Sequence, residues 1–459
     1  MNKNILICLN KLDIGGIETA VVNQVYEMLE KKYNVIVVAK SGIYTEKIKE
    51  KGAICIDFCF EIEDGYNLEK SKKIEEIIKK YEIGQVHIHQ FDCITSVFPA
   101  CVNTNTKYIS YIHTGVEGTY DWFEKHYKSY KVIFNMYYNM ANKIIAITEK
   151  AKKENQLKYN VDEKKYIIIN NSLKFDEKIM KNEKYPNALK NFLILSRFAP
   201  EKRISIINAI ELFKRYSDLN KDAKLTIVGD GEDKEFILDK LKDIEDKICI
   251  LGARNDVVDI IKENDVIIGL DRCILEAIAL KKIAIISGYK KMKGMVTPDN
   301  IEIAAKENFS GENLNDVTID DIIKALQNID IDEIQKFTYN NFEFSYKNLN
   351  IENNVYLLED INKEIINIDK KIYFENIDIL LKMIKDEEEK KNKIYKDSKE
   401  AQKYFESQIK NLEENMKFLN KENEKLKVEE SKMKKYISDI NNNKLINIIL
   451  KAKKNKNKE

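Results

Sequence analysis

Glycine and proline are scarce in this chain, paired cysteines are missing, and no long apolar run occurs. The 15 glycines and 4 prolines among 459 residues indicate compositional drift rather than a function. The seven cysteines are scattered without a Cys-x-x-Cys pair, so we expect buried, reduced thiols and neither a disulfide framework nor a zinc site. No apolar stretch approaches the ~20 residues of a membrane span, and the run Ile5–Leu9 is too short for a signal peptide. The expected location is cytoplasmic.

Net charge of one sign is also missing. The 77 basic and 76 acidic residues nearly cancel, which leaves a net charge of +1 and no reason to expect a nucleic-acid partner. A hydrophobic fraction of 44% excludes wholesale disorder. The length predicts about two or three domains.

Short apolar runs alternate with amphipathic segments as far as about residue 290. The runs are rich in Ile and Val and mostly do not alternate with polar residues, which is typical of parallel strands buried on both faces. Predicted helices between them include Glu18–Glu30, Leu68–Tyr81 and Lys234–Leu241. The predicted strands are Ile5–Leu9, Val35–Ala39, Gln85–His89, Tyr108–His113, Ile144–Thr148 and Ile167–Asn170, then Phe192–Ser196, Leu225–Val228, Ile248–Leu251, Val266–Ile268 and Ile283–Ser287.

These strand–helix units predict an α/β fold of two Rossmann-like lobes. A polar stretch at 181–186 separates the two series, so we expect one lobe over 1–182 and another over 183–350. Ligands of open α/β sheets bind beyond the carboxyl ends of the strands, and the cleft between two lobes is the expected site.

The sequence changes character after about residue 370. We expect a linker helix at 351–370, a coiled-coil helix at 371–443 and a basic amphipathic tail at 444–459. The coiled coil would form a homodimer through 395–440; the alternatives are a solvated single helix or a hairpin packed on the body. The tail either docks on an anionic membrane surface or is a frayed terminus. The seam positions are Phe405, Ile409, Leu412, Met416, Leu419, Asn423, Leu426, Glu430, Met433, Ile437 and Ile440.

The loop after the first strand carries two adjacent glycines, Gly15 and Gly16, followed at once by a predicted helix. Glycine lets a ligand approach the backbone, and a helix N-terminus favours anions. The pair therefore indicates a phosphate or acceptor-sugar contact, or it simply makes a turn.

The loop after the strand Phe192–Ser196 carries two cations. Arg197 stands at the carboxyl end of that strand and Lys202 follows five residues later. Two cations in this position can hold a diphosphate and stabilise it as it leaves.

Two further loops follow strands of the second series. Gly229 opens a Gly-Asp-Gly turn that either contacts a donor or only needs backbone freedom. Asp271, Arg272 and Glu276 lie where a helical pattern begins. The Glu276 carboxylate is suited to bind paired ribose hydroxyls; alternatively it is an ordinary early-helix glutamate.

Taken together, the Gly-Gly turn, Ser-Arg-x-x-x-Glu-Lys, Gly-Asp-Gly and Leu-Glu-Ala-Ile-Ala-Leu resemble the large retaining glycosyltransferase family 4, whose fold is called GT-B. The resemblance extends to about residue 350 and leaves the tail uncovered. It implies transfer of a sugar from a nucleotide-diphosphate donor with retention at the anomeric carbon. It also implies that no metal and no cofactor are needed. Asp-x-Asp spacings such as Asp330–Asp332 lie in a helical context and are expected to be solvated.

The resemblance also implies roles for single residues. Arg197 and Lys202 would grip the donor diphosphate, Glu276 would bind the ribose, and Gly16 would lie near the donor phosphate and the acceptor. His113 is similar to the histidine that the family places beside the transferred sugar, although a strand-end histidine is otherwise more often structural. His89 resembles a recurring strand-end histidine to which we assign no chemistry.

Two segments and one departure complete the comparison. Asn170-Asn171-Ser172 and Glu307–Gly311 resemble a turn before the second lobe and a late segment of some members. Many members carry a first glutamate eight residues before the second, but that position is Ile268 here. We hypothesise that Asp271 or backbone groups contact the sugar instead.

The expected function is transfer of a hexosyl or related group to a glycan or lipid-linked acceptor for cell-surface polysaccharide or glycoconjugate synthesis. The protein would then lie in the cytoplasm or peripherally on the inner face of the membrane. The alternative is a catalytically degenerate protein that acts as a coiled-coil, membrane-associated scaffold. The Ile268 departure supports this alternative, but the retained Gly15-Gly16, Arg197, Lys202 and Glu276 support activity more strongly.

Overall fold

The computed structural model describes residues 2–354, apart from 14, 61–67, 114–127 and 187, and short helical stretches between 382 and 435. The chain divides into two units, Met1–Ile384 and Lys385–Glu459. The first unit contains two sheets flanked by helices, and the second is helical where it is described.

The first sheet has seven strands, all parallel, in the order β3-β2-β1-β4-β5-β6-β7. Its register aligns Leu6 of β1 with Ile36 of β2 and Val86 of β4. The strands are β1 Asn4–Lys11, β2 Asn34–Lys40, β3 Ile54–Asp57, β4 Gln85–Ile88, β5 Lys107–Ile112, β6 Lys143–Ala146 and β7 Tyr166–Ile168.

Helices cover both faces of this sheet because alternate strand residues are apolar on each side. Ile5 and Ile7 pack in the cluster that contains α1, whereas Leu6 and Cys8 pack in the cluster on the opposite face. The described helices that follow these strands are α1 Gly16–Glu30, α2 Thr45–Glu50, α3 Leu68–Lys80, α4 Ile94–Thr104, α5 Lys128–Met140, α6 Glu149–Tyr159 and α7 Glu177–Met180.

The second sheet has six strands in the order β10-β9-β8-β11-β12-β13, and its last pair is antiparallel. The strands are β8 Asn191–Leu195, β9 Lys224–Val228, β10 Ile248–Gly252, β11 Val266–Gly269, β12 Ile283–Ser287 and β13 Met292–Met295. The helices are α8 Arg203–Leu219, α9 Lys234–Asp239, α10 Val257–Lys262, α11 Arg272–Ala279, α12 Ile301–Lys306, α13 Ile319–Asn328 and α14 Ile331–Asn348.

The chain returns to the segment after β7 once α14 ends. Leu173 donates its backbone N–H to Leu349 at 3.0 Å and accepts one from Ile351 at 2.9 Å. Asn354 donates to the hydroxyl of Ser172 at 2.7 Å. Residues 349–354 therefore pair with the turn that precedes the second sheet.

The predicted α/β class with two Rossmann-like sheets is confirmed. Each predicted strand forms within two residues of its expected ends. The sequence reading missed β3 and β13. Both are four-residue edge strands that contain a charged residue: β3 reads Ile-Cys-Ile-Asp, with Ile54 exposed, and β13 reads Met-Lys-Gly-Met. The lobe boundary at 182/183 stays a prediction.

The helical extension is described only in part. Leu426, Glu430 and Met433 lie in a helical stretch at 424–435, where Leu426 and Met433 are exposed. The other seam positions and the tail 444–459 lie outside the described residues, so the coiled coil and the membrane surface stay predictions. Within the residues described, no helix combines the length and apolarity that crossing a membrane requires.

Candidate functional site

Strand order places the predicted loops at one point of each sheet. In the first sheet the chain direction across the sheet reverses between β1 and β4, and in the second between β8 and β11. Loops after such strands diverge to opposite faces and leave a crevice at the carboxyl edge. Gly15–Gly16 and His89 follow β1 and β4, and Lys202 and Asp271 follow β8 and β11.

The turn after β1 is built around a buried carboxylate that the sequence reading did not single out. Glu18 is 8% exposed and accepts a hydrogen bond from Gln90 Nε2 at 3.3 Å. A Cβ on Gly15 would lie 2.0 Å from Glu18 Oε2, whereas a Cβ on Gly16 would meet no atom within 4 Å. Gly15 therefore leaves room for the Glu18 carboxylate, and the backbone of Gly16 is open to a ligand.

Three histidines, the buried His87 and His89 and the half-buried His113, form a polar chain with Tyr111 at the carboxyl ends of β4 and β5. His89 Nδ1 lies 3.1 Å from His113 Nε2, and the ring of Tyr111 stacks on His89 with centroids 3.9 Å apart. His87 Nδ1 lies 2.9 Å from the Tyr111 hydroxyl. Burial lowers the pKa of His113 to about 4 and that of His87 to about 3, and it lowers the pKa of His89 strongly. These imidazoles are neutral at pH 7.

A small pocket of about 60 Å³ opens beside these rings. The residues that line it include Gln24 of α1, Tyr111, His89, His113, Asn170–Ser172 and Ile351. The pocket wall thus combines neutral hydrogen-bonding groups with apolar side chains. Such a lining suits an uncharged, hydroxylated group better than an ion.

The two predicted cations after β8 have different partners. Arg197 is 70% exposed and pairs with Glu201 in the next turn of the chain. Lys202 is 19% exposed, and its Nζ lies 3.0 Å from Asp271 Oδ2 across the sheet edge. The structure brings Lys202 and Asp271 into contact. Arg197, five residues before Lys202, remains exposed at the surface.

Asp271 stands at the start of α11 in a backbone conformation that few side chains adopt, with φ 62 and ψ −132. Its backbone N–H donates to Phe309 at 3.1 Å. Tyr289 donates its hydroxyl to Asp271 Oδ2 at 3.3 Å. Such strain persists where the surroundings over-determine it, and it clusters at functional sites.

Glu276 lies one helical turn into α11 and pairs with Arg272. Arg272 Nε donates to Glu276 Oε1 at 2.9 Å, and the two side chains are 14% and 17% exposed. Burial raises the pKa of the Glu276 carboxyl, and the Arg272 guanidinium partly opposes that shift. Arg272 therefore favours the ionised form of a mostly buried carboxyl in the helix that follows β11.

Gly229 allows the loop after β9 to lie close against the backbone of the loop after β8. Its φ is 156, and a Cβ there would lie 1.9 Å from the carbonyl oxygen of Ser196. Phe198 N–H donates to the Asp230 carbonyl at 2.9 Å, which ties the loop after β8 to the loop after β9. Contact with a donor stays a prediction for this glycine.

Asparagines join the turn after β7 to the segment after α12. Asn170 and Asn308 both donate to the carbonyl oxygen of Ile147, at 2.8 and 2.9 Å. Asn171 N–H donates to Asn308 Oδ1 at 2.7 Å. Asn308 and Phe309 have φ values of 51 and 61, and Phe309 is the acceptor for Asp271. The two motifs Asn170–Ser172 and Glu307–Gly311 thus contact each other.

Sequence reasoning missed Glu18, Gln24 and Tyr289 because no spacing signals them. Tyr289 lies in a surface loop after β12, and only the sheet order brings it to Asp271. In the described ranges, no three His, Cys, Asp or Glu side chains cluster in a way that could hold a metal ion. Asp330 accepts the backbone N–H of Asp332 and caps α14.

Family models match both sheets. The model described as Glycosyltransferase Family 4 matches residues 14–176, and the model described as Glycosyl transferases group 1 matches 175–340. Together they run without a break over most of the first unit. No curated protein matches the chain significantly.

Solved structures share the fold at low identity. A glycosyltransferase from Rickettsia africae is 20% identical with a TM-score of 0.57, covering 79% of this chain and 100% of its own. Anabaena HepE in complex with UDP-glucose is 14% identical with a TM-score of 0.57, covering 78% and 98%. WaaG, a glycosyltransferase involved in lipopolysaccharide biosynthesis, is 13% identical with a TM-score of 0.51, covering 77% and 98%. These likenesses establish the two-lobed fold.

The raised pKa of Glu276 predicts that Glu276→Gln stabilises the protein. A carboxyl whose pKa is higher in the folded than in the unfolded state lowers stability as the pH rises between the two pKa values. The Gln variant should therefore have a higher Tm than the wild type at pH 8, and the difference should be smaller at pH 5. Thermal unfolding at both pH values measures this.

The matched control for that comparison is Glu235→Gln, which changes an exposed carboxylate on α9 and should leave the Tm unchanged at both pH values. A Glu276→Gln variant with a lower Tm than the wild type at pH 8, or with the same change in Tm at both pH values, would contradict a raised pKa for Glu276.

Proposed function

Because the chain belongs to the GT4-type glycosyltransferases with a GT-B fold, we propose that it takes a sugar from a nucleotide-diphosphate donor and retains the anomeric configuration. The observation that carries the proposal is the ion pair between Lys202 and Asp271 across the β8/β11 crevice, with the Arg272–Glu276 pair in the first turns of the helix that Asp271 begins. A cation for a diphosphate and a carboxylate for a ribose then lie at the carboxyl edge of one sheet.

Lys202 is the proposed centre of diphosphate binding. Its ammonium is mostly buried and is already held at the crevice by Asp271, so little side-chain freedom remains to be lost when an anion binds. Arg197 is exposed and paired only with its near neighbour Glu201 among described residues. It can turn to a second phosphate oxygen at small cost.

The proposed reaction breaks the bond between the anomeric carbon and the diphosphate oxygen. An acceptor hydroxyl oxygen attacks the same face of that carbon, and its proton passes to the departing diphosphate oxygen. Negative charge grows on the diphosphate in the transition state. Lys202 and Arg197 stabilise that charge with charge-assisted hydrogen bonds.

Glu276 is proposed to accept hydrogen bonds from the two ribose hydroxyls. That role needs the ionised form, because a carboxylate accepts at both oxygens whereas the acid donates at one. Burial works against ionisation and Arg272 works for it. Arg272 thus acts on the donor through Glu276, and Gly229 is proposed to lie along the nucleotide.

The sugar and the acceptor are proposed to lie against the first sheet. Gly16 offers open backbone at the start of α1, next to Gly15, which leaves room for the Glu18 carboxylate. His113 lines the pocket beside β5. Asp271 stands in for the family's first glutamate, whose place is taken here by the fully buried Ile268. A sugar hydroxyl at Asp271 would compete with Lys202 and Tyr289 for the same carboxylate.

The acceptor is proposed to be a glycan or a lipid-linked glycan at the cytoplasmic face of a membrane, in polysaccharide or glycoconjugate synthesis. WaaG, one of the structural relatives, is a lipopolysaccharide enzyme. The basic residues of 444–459 would hold the protein on anionic lipid. The transferred group is proposed to be a hexose or a related sugar, and the reaction is proposed to need no metal.

A panel of nucleotide sugars should identify one donor that the wild type turns over. Arg197→Ala, Lys202→Ala and Glu276→Ala should each lower kcat/KM by roughly 100-fold, since each removes a charge-assisted contact to the leaving nucleotide. Release of nucleoside diphosphate measures turnover. The coupling constant of the anomeric proton in the product measures retention.

Arg254→Ala is the matched control for Arg197. Arg254 is an exposed arginine in the loop after β10 that pairs with its near neighbour Asp256, so its loss should leave kcat/KM unchanged. No turnover and no nucleotide binding with any donor would favour the degenerate scaffold. An inverted product would contradict the retaining mechanism.

Deleting residues 444–459 should move the protein from the membrane fraction to the soluble fraction of a lysate. A full-length variant with the five lysines of 451–458 changed to glutamine should move likewise, because lipid attraction is electrostatic. Unchanged partitioning of the deletion variant would contradict membrane docking by the tail.

A further inference from the structure

We propose that His89 is a positioning residue that fixes the tautomer of His113, so that His113 presents its Nδ1–H to a sugar hydroxyl. The inference rests on the proposed function for the ligand, but its structural part rests only on the two rings and their partners. The sequence alone does not tell which ring nitrogen carries the proton in either histidine.

The position of the His89 ring is closely defined. His89 is 3% exposed and follows β4 directly, where its backbone N–H donates to Cys8 at 3.0 Å. Tyr111 stacks on its ring at 3.9 Å between centroids, with an angle of 21° between the planes. His89 Nδ1 is therefore held at 3.1 Å from His113 Nε2.

A second layer holds Tyr111 in turn. His87 Nε2 lies 3.0 Å from the Gln85 amide oxygen, which only accepts, so His87 carries its proton on Nε2. The Tyr111 hydroxyl then donates to the bare His87 Nδ1 at 2.9 Å and accepts from Gln24 Nε2 at 3.0 Å. Every bond in this layer has one donor and one acceptor.

The tautomer of His113 follows from the other nitrogen of His89. Both imidazoles are neutral, so one ring donates and the other accepts in the bond between them. His89 Nε2 is buried without a hydrogen-bond partner in the described structure. If His113 donated, His89 would bear its proton on Nε2, and a buried N–H would lack an acceptor, which native proteins avoid. His89 therefore donates from Nδ1, and its bare Nε2 is the unpartnered atom.

His113 consequently accepts at Nε2 and carries its proton on Nδ1. Nδ1 is the nitrogen left for a ligand, since no described residue bonds to it and His113 lines the pocket beside β5. A neutral N–H donor matches a hydroxyl oxygen of a sugar. Without the His89 bond, His113 would be free to exchange between tautomers and to present a bare nitrogen instead.

Variants of His89 test the role through kcat. His89→Phe keeps a flat ring but removes the donor, and kcat should fall about tenfold, as for loss of one hydrogen bond. His89→Asn places an amide nitrogen near the former Nδ1 and should keep kcat within about threefold of wild type. His89→Gln, the matched control, places its amide near the former Nε2 and should resemble His89→Phe.

The double variant His89→Phe/His113→Phe should be no slower than His113→Phe alone, because His89 acts through His113. Equal losses for the Asn, Gln and Phe variants, or additive losses in the double variant, would reduce His89 to a packing role and overturn the proposal.

A measurement without substrate separates this inference from the proposed function. The chain has 4 histidines, so ¹⁵N-histidine labelling with single variants assigns each ring. Between pH 6 and 8, Nδ1 of His113 should show a protonated-nitrogen shift in the wild type, and a mixture of tautomers in His89→Phe. A proton on Nε2 of His113 in the wild type would overturn the inference even if the enzyme turns over a donor. An enzyme without any turnover but with the expected spectrum would refute the proposed function alone.

Discussion

The order of strands in the two sheets is the constraint on which the rest of the site depends. β1 lies between β2 and β4, and β8 lies between β9 and β11, so the chain leaves these neighbouring strands towards opposite faces. A crevice at the carboxyl edge follows from that reversal. The apolar Ile and Val runs that bury both faces of each sheet make the reversal possible, because helices then cover both sides.

Charge pairing at the second crevice shapes what the site can do. Lys202 and Arg272 each hold an acidic partner in mostly buried surroundings, and such partners cost free energy of desolvation that only good geometry offsets. Asp271 adds backbone strain at the same point. The first crevice is the opposite, since its histidines are neutral and hydrogen-bonded. A charged nucleotide and an uncharged sugar acceptor suit these two environments respectively.

Much of this architecture can be predicted from the sequence, and the elements and contacts that cannot be predicted have physical reasons for it. Unbroken apolar strands such as Val266–Gly269 are evident as runs, whereas the edge strands β3 and β13 each include a charged residue among their four positions. Lys202 and Asp271 stand out individually in their loops, but their contact spans 69 residues and depends on β8 pairing with β11. Tyr289 and Glu18 belong to no motif. Their contacts arise from tertiary packing, which local spacing does not encode.

Direct binding of a nucleoside diphosphate tests the central claim, that Lys202 at the β8/β11 crevice holds the donor diphosphate. Calorimetric titration of UDP and the other common nucleoside diphosphates should find one that binds the wild type, with Lys202→Met weakening it by roughly 10- to 100-fold. Lys234→Met, which removes a lysine paired with Asp230 in the neighbouring loop, should leave the affinity unchanged. Equal affinities for the wild type and Lys202→Met would contradict the account.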